Sequence, residues 1–479
     1  MSYRDEIISY IEDNRSLFTD LSDQIWEYAE TKFEEFKSAD LYCRILEKEG
    51  FAVERGIGGL QTAFKGTFGT DDGPSVGFLG EFDALPGLSQ EAGVCERKPI
   101  IPGGSGHGCG HNIFGAGVLA AAFAVKHYLQ ESGKPGKIVY YGCPAEEGGS
   151  GKAWMVKAGC FRDIDCALTW HPSSMNLVQM PFALASIQAT FKFTGLSSHA
   201  ASAPEKGRSA LDAAELMNIG VQFLREHIPD KARVHYAFLD AGGRTANVVQ
   251  SDATLLYQIR SPKMSDARSI YERVINIAKG AALMTDTKVE MQFDRACSDL
   301  RTNHALDKIV YEAFETVGPV PVTEEDIVFA REIRKTFTAD VKGSNENTLR
   351  EYYRRDDLAD RIRDKEIVDI LFPLEYVFAE KTASTDVGDV SQILPVTQIG
   401  TADYAKDTQL HSWQAVAQGK SPLAHKGMLT TGKVLALAAA DIFEHPEKLT
   451  PVKEEFAKSW EAEPYVSPIP DGAEPRLTK

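Results

Sequence analysis

The sequence predicts an α/β protein: a mostly parallel sheet that carries a second, smaller domain inserted into it. Three observations predict it. Short apolar runs bounded by turn residues alternate with helical runs through the first 180 or so positions. From about residue 185 the order changes to β-α-β-β-α-β, the split arrangement of a ferredoxin-like domain. After about residue 300 the α/β pattern resumes, and 479 residues exceed what one ordinary hydrophobic core holds. The expected parts are therefore 1–184 and 298–479 for the main domain, with 185–297 inserted between them.

Taken in order, residues 4–50 read as helical and end at a glycine cap, Gly50. The apolar runs "TAFKGTF", "SVGFLGEFDALP", "KIVYYGCP" and "CALTWHP" read as strands, with helices at 114–131 and near 151–160 between them. In the insert, "SIQATFKFTG", "RVHYAFLDAGG", "ATLLYQIRSP" and "KVEMQFD" are the strands, and helices fall around 208–227 and 265–284. Segment 320–370 is charged, and its charge runs read as solvated helix faces or a surface excursion. The helix "GMLTTGKVLALAAADIFEH" follows, and four prolines mark the tail 462–479 as loop.

Composition narrows the function classes. A net charge of −17 opposes nucleic-acid binding and attachment to an anionic membrane. No apolar run approaches the ~18–20 residues that span a bilayer. The N-terminal stretch is charged and amphipathic, without a signal-peptide core, so a cytoplasmic protein is expected. Seven scattered cysteines do not read as a disulfide framework.

Chemistry concentrates where strands end, which is where open α/β sheets place their sites. "GHGCGHN" sets Cys109 and His111 two residues apart in a glycine-softened turn ahead of a helix, beside His107. "CPAEEGG" places Glu146 and Glu147 together after a strand. Two carboxylates cannot share a pocket cheaply; one bound to a cation and one left to handle protons resolves the repulsion. Alone, the pair would also suit an acidic turn opening a helix. His171 closes a strand in "TWHP" and His411 lies in the loop "QLHSW". A thiolate, a carboxylate and three imidazoles exceed the usual three protein ligands of one catalytic zinc. A two-metal site is the better fit.

These residues sit in motifs, "GEFDALPG", "GHGCGHN", "PAEEGG", "WHP", "SSHAASAPEKGRSALDAA", "NVV" and "LHS", whose order resembles the aminoacylase and hippurate-hydrolase branch of the di-metal peptidase family that includes carboxypeptidase G. "IWEYAETKFEEFKSAD", "ASTDVGDVS" and "LHSWQAVAQGKSPLAHKGM" look most like its p-aminobenzoyl-glutamate hydrolase subfamily. The resemblance covers nearly the whole chain. It implies two divalent ions (zinc or manganese, with cobalt a further fit) on Cys109, His111, Glu147, His171 and His411. It implies Glu146 as general base, His199 as an oxyanion donor from the lid, and Asn247 and Arg260 as holders of the substrate's carboxylate end. Asp83 would orient a ligand histidine, and His107 has no assigned role. Between His411 and His425, the family position favours His411. Arg244 stands near the place where many members have a proline, and its purpose is open.

The implied activity is metal-dependent hydrolysis of an amide joining an acyl group, aromatic by preference, to an amino acid with a free carboxylate, glutamate first. A dipeptidase or a deacylase of other specificity is the alternative, and a non-catalytic regulatory paralogue a more distant one. Pairing through the lid into a homodimer, or with a related second subunit, is expected.

Overall fold

The computed structural model describes residues 2–179, 183–375 and 383–476, and twelve strands lie among them. These are β1 (Ala52–Arg55), β2 (Phe64–Gly69), β3 (Ser75–Glu81), β4 (Lys137–Cys143), β5 (Cys166–Gln179), β6 (Ala185–Thr194), β7 (Ser198–His199), β8 (Arg233–Asp240), β9 (Val248–Val249), β10 (Asp252–Ser261), β11 (Lys288–Cys297) and β12 (Val396–Ala402). Six form the central sheet in the order β1-β2-β4-β3-β5-β12. The pairs β4–β3, β3–β5 and β5–β12 are parallel, while β1–β2 and β2–β4 are antiparallel. All seven residues of β12, and six of seven in β3 and in β4, are buried, as expected of strands covered on both faces.

Tyr3–Asp13, Arg15–Tyr28, Phe36–Lys48, His111–Ser132, His304–Val317 and Pro422–Glu444 supply helices to the largest core cluster. Gly151–Lys157 and Val387–Ile393 contribute to a separate cluster with Leu79, Val139 and Tyr141 of the sheet. The helical reading of 4–50 thus resolves into three helices, and Gly50 takes the left-handed φ of 81° just past the third. His111–Ser132, at 22 residues, is against expectation long and apolar enough to cross a membrane. Yet 89% of its most apolar stretch is buried, so its apolarity serves the core of the protein.

The register also revises one strand. The residues of β5 up to Ser173 run parallel to β12, whereas Leu177, Val178 and Gln179 meet Gly400, Ile399 and Gln398 in the opposite sense. The chain turns at Ser173–Ser174 and returns along β12, so His171 sits two residues before a turn rather than ending its strand.

β6, β8, β10 and β11 form a second, antiparallel sheet in the order β11-β6-β10-β8. Helices Ala210–Leu224 and Met264–Met284 pack with it around a separate apolar cluster. β7 and β9 make a small ribbon on its connections. The charged segment becomes three helices, Glu324–Arg334, Ser344–Glu351 and Asp356–Ile362. They are more than solvated faces: Ala330, Ile333, Leu349, Leu358, Ala359 and Ile362 are buried in two further apolar clusters. The proline-rich tail is irregular after Ala462, and its last three residues, 477–479, lie outside the described residues.

Candidate metal centre

The loops leaving the carboxyl ends of β3, β4 and β12, with the turn after His171, converge on one place. Gly110 makes this convergence possible. Its φ is 76°, and an added Cβ would lie 2.1 Å from the Tyr404 hydroxyl and 3.0 Å from Pro172, so only glycine fits between Cys109 and the helix that His111 opens. After β4, Ala145 takes φ 59° and starts the one-turn helix that carries Glu146 and Glu147. His411, φ 61°, donates its backbone N–H to Gly108 O at 2.8 Å, which joins the β12 loop to the cysteine loop.

Ligand-type atoms of Cys109, His111 and His171 lie within 4.8 Å of one another, as do those of Cys109, Glu147 and His411. Cys109 is common to both groups. Glu81, His111 and Glu146 form a third. His171 Nδ1 donates to Pro172 O at 2.9 Å, leaving the Nε2 lone pair toward Cys109 Sγ at 3.3 Å. Burial and the neighbouring His111 lower the His171 pKa to about 4, which keeps this imidazole neutral. Asp83 accepts from His111 Nδ1 and from the Glu147 backbone N–H, each at 2.9 Å, so one carboxylate aims two of the donors. His411 Nε2 stands 3.1 Å from Glu147 Oε1.

The two adjacent glutamates are driven apart in acidity. Burial, then the charges of Glu81, Glu147 and Asp386, push Glu146 well above the usual carboxylate range. Burial works against the charge of Glu147 too, but His411 and His111 outweigh it and hold its pKa below the usual value. Such a split suits one carboxylate to protons and the other to a cation. Burial and Glu147 also raise the Cys109 thiol, so only a cation bound there would turn it into a thiolate. Three buried atoms here make no well-aligned hydrogen bond among the described residues: His111 Nε2 and Glu81 Oε2, which face each other at 3.2 Å, and Glu147 Oε1, 3.1 Å from His411 Nε2. Under-satisfied nitrogen and oxygen donors beside the Cys109 sulfur fit divalent metal ions.

The cleft beside this cluster is lined by Glu146, Glu147 and His411 together with Arg260, Arg295 and Ser384. Arg260 thus comes to the site, on β10. His199 and Asn247 do not: both are exposed at the β7–β9 ribbon, where Asn247 O accepts from Ala200 N at 3.0 Å. His107 is buried and bonds Ile25 O at 3.0 Å through Nε2, a tie between the cysteine loop and the second helix. His425 meets Asp23 at 2.9 Å and belongs to none of the donor groups. Arg244 is exposed, and nothing in the structure explains it.

Four buried residues escaped the sequence reading. Lys152 Nζ lies 2.6 Å from both Glu81 and Asp386, a buried cation behind the cluster. Glu35 accepts from the Ala145 backbone N–H at 2.9 Å and from Thr62 Oγ1 at 2.8 Å, supporting the turn that presents Glu146. Burial, then Asp83, raises Glu35 to about 8. Glu35, Glu81 and Asp386 stand inside the quoted motifs, but their contacts reach across tens to hundreds of residues and no local spacing announces them.

A thiol, imidazoles and carboxylates gathered at strand ends of a mostly parallel α/β sheet define a metal-dependent hydrolase. The chain belongs to peptidase family M20/M25/M40, whose model matches residues 77–363. It is 44% identical over 480 residues to one of the subunits of p-aminobenzoyl-glutamate hydrolase from Escherichia coli (strain K12), covering 99% of this chain and 100% of that protein. The fold is similar to an aminobenzoyl-glutamate utilization protein from Klebsiella pneumoniae, at TM-score 0.57 and 20% identity, covering 88% and 97% of the two chains. It is also similar to a Bacillus subtilis protein described as a dinuclear metal-binding peptidase of the M20 family, at TM-score 0.56 and 15% identity, covering 90% and 99%.

Proposed function

We propose that this chain hydrolyses the amide between an aromatic acyl group and an amino acid with a free carboxylate, p-aminobenzoyl-glutamate and its analogues being the preferred substrates. The full-length 44% identity to a subunit of a hydrolase of that name carries the reading. The two overlapping groups of donors support two divalent ions, which Cys109, His111, Glu147, His171 and His411 would hold. Zinc, manganese or cobalt suits this mixture of thiolate, imidazole and carboxylate. Bound there, the ions would supply Lewis acidity to the scissile carbonyl and the attacking water. Glu146, its affinity for a proton raised, takes the water's proton and returns it to the leaving amine. Arg260 in the cleft draws the substrate's carboxylate toward the site.

Residues 185–297 are read as an inserted ferredoxin-like lid, with 1–184 and 298–479 as the catalytic parts. The strand order of the second sheet supports this. The lid brings His199 and Asn247 to a neighbour's site. β8 is an edge strand with Tyr236, Phe238 and Leu239 exposed, a surface suited to pairing with a second copy or a related subunit. A cytoplasmic location accords with this role.

The test is metal analysis of the purified protein with a panel of p-aminobenzoyl-glutamate, an aliphatic N-acyl-glutamate and simple dipeptides. The aromatic acyl-glutamate should turn over fastest, and Glu146→Gln should lose about 10²–10⁴-fold in rate while keeping its metal. Faster dipeptide cleavage would make the chain a dipeptidase. Absence of both metal and turnover would make it a non-catalytic partner. Loss of metal from Glu146→Gln but not from Glu147→Gln would reverse the two roles.

A further inference from the structure

The segment 324–366 has no role in the function above, yet its polar side chains point at the loop that carries His411. Lys406 and Asp407 in that loop are each 1% exposed. Asp407 accepts from Arg334 Nη2 at 3.0 Å, Gly343 N at 3.1 Å and Asn345 N at 3.0 Å. Lys406 Nζ reaches Glu346 at 2.8 Å and the carbonyls of Ile362 and Arg363 at 2.9 and 2.7 Å. Asn345 goes further: its Oδ1 accepts from Asp407 N at 2.7 Å and from Ser174 Oγ at 3.0 Å. One amide oxygen therefore ties the turn three residues past His171 to the loop four residues before His411.

Buried ion pairs are poor stabilisers, because desolvation offsets their attraction; well-packed apolar residues would hold a core at least as well. What such pairs fix is geometry. The loop needs fixing, since Asp407 (φ 70°) and His411 (φ 61°) both hold a left-handed backbone that side chains other than glycine seldom adopt. Strain of this kind persists only when the surroundings over-determine it. At Asp407 the helices Glu324–Arg334 and Ser344–Glu351 supply that over-determination, and the His411 backbone is held four residues on by its N–H to Gly108 O.

We infer that this helical segment is a bracket that sets the positions of His171 and His411 relative to each other, with Asn345 and Asp407 as positioning residues for the His411 side of the metal centre. The inference rests on the reading of His411 as a metal ligand. Arg334 and Glu346 are the charges of the segment that grip this loop.

Titrating the metal-stripped full chain with Mn²⁺ by calorimetry tests it, with His411→Ala, Asn345→Ala and Asp407→Asn beside the unaltered protein. Asn345→Ala should weaken one of two binding events by about tenfold or more, the scale on which residues supporting metal ligands act. The other event should stay unchanged, while the thermal midpoint of the metal-free protein falls only modestly, as the loss of one buried acceptor requires. Asp407→Asn keeps the shape and one acceptor and should weaken the same event less; it decides the matter if Asn345→Ala does not fold. His411→Ala should remove that event. If His411→Ala leaves both events intact, the ligand reading fails and the bracket with it. If His411→Ala removes one event while the bracket variants bind as the unaltered chain does, only the bracket fails. Equal weakening of both events with a lowered midpoint would show a merely structural segment, and would also overturn it.

Discussion

Lys152 is the cation on which the carboxylates of this site depend. Glu81 and Asp386 flank it at 2.6 Å, both are buried, and Glu146 feels their charge. Removing the ammonium leaves two or three negative groups without compensation in a place water does not reach. Lys152→Met should therefore cost about 3–5 kcal/mol of stability, the range for breaking one side of a buried pair. Urea denaturation of the metal-free chain measures it; a loss below about 1 kcal/mol would mean that Glu81 takes up a proton at little cost. The residues proposed as metal donors stand out in the sequence because each lies in a short motif beside a strand or glycine turn. Lys152 does not, since its partner Asp386 is 234 residues away and only folding brings them together. The choice between His411 and His425 likewise rested on a family position. The geometry agrees with it, since His425 pairs with Asp23 at 2.9 Å and stands in none of the donor groups found among the described residues.

At the scale of elements, periodicity located the strands with one clear apolar pattern, such as β3, β4, β6 and β10, and the helices Ala210–Leu224 and Met264–Met284. It missed β1, whose four residues are largely exposed and carry no alternating apolar face. Its reading of 320–370 as solvated helix faces holds for most of the charges but not for Asp326, Arg334 and Glu346, because charge runs look alike whether they face water or a buried partner. The short helix Val387–Ile393 shows the same blindness, since its Asp389 is buried and accepts from Ser298 N and Oγ at 2.8 Å and from Tyr465 Oη at 2.9 Å. Burial raises its carboxyl from 3.8 to about 7; the Ser298 and Tyr465 bonds oppose the rise and nearby Asp386 adds to it. The folded chain thus holds this proton through a pH range in which the unfolded chain has released it. Asp389 contributes stability that is complete below about pH 4 and is lost as the pH rises to about 7. Thermal midpoints of the unaltered chain and Asp389→Asn, compared from pH 4 to 8, should show the steeper decline in the unaltered chain. Parallel profiles would mean that Asp389 is ionised throughout.

At the scale of the whole molecule, His199 is exposed and stands apart from the buried donor cluster. His199 Nδ1 accepts from Ala201 N at 3.2 Å and Ser202 N at 3.1 Å, which places the ring proton on Nε2 and leaves it as a donor to whatever docks there. That donor is exposed on the β7–β9 ribbon and belongs to none of the chain's own donor groups. The motif around His199 is legible in the sequence, whereas a role in another chain rests on the family resemblance alone, because no spacing within one chain records a contact between two. If the exposed edge of β8 pairs two chains, the ribbon of each can reach the cluster of the other, and His199 then stabilises the oxyanion in trans. Losing one such donor costs about 10²–10³-fold in rate. Glu146→Gln and His199→Ala chains, each nearly inactive alone, should therefore recover activity when mixed under conditions of subunit exchange. A hybrid dimer contains one centre with both an intact Glu146 and an intact His199, so recovery should approach half of the normal activity per hybrid. Hybrids verified by mass that remain inactive, while both parents bind metal normally, would confine His199 to its own chain or remove it from catalysis.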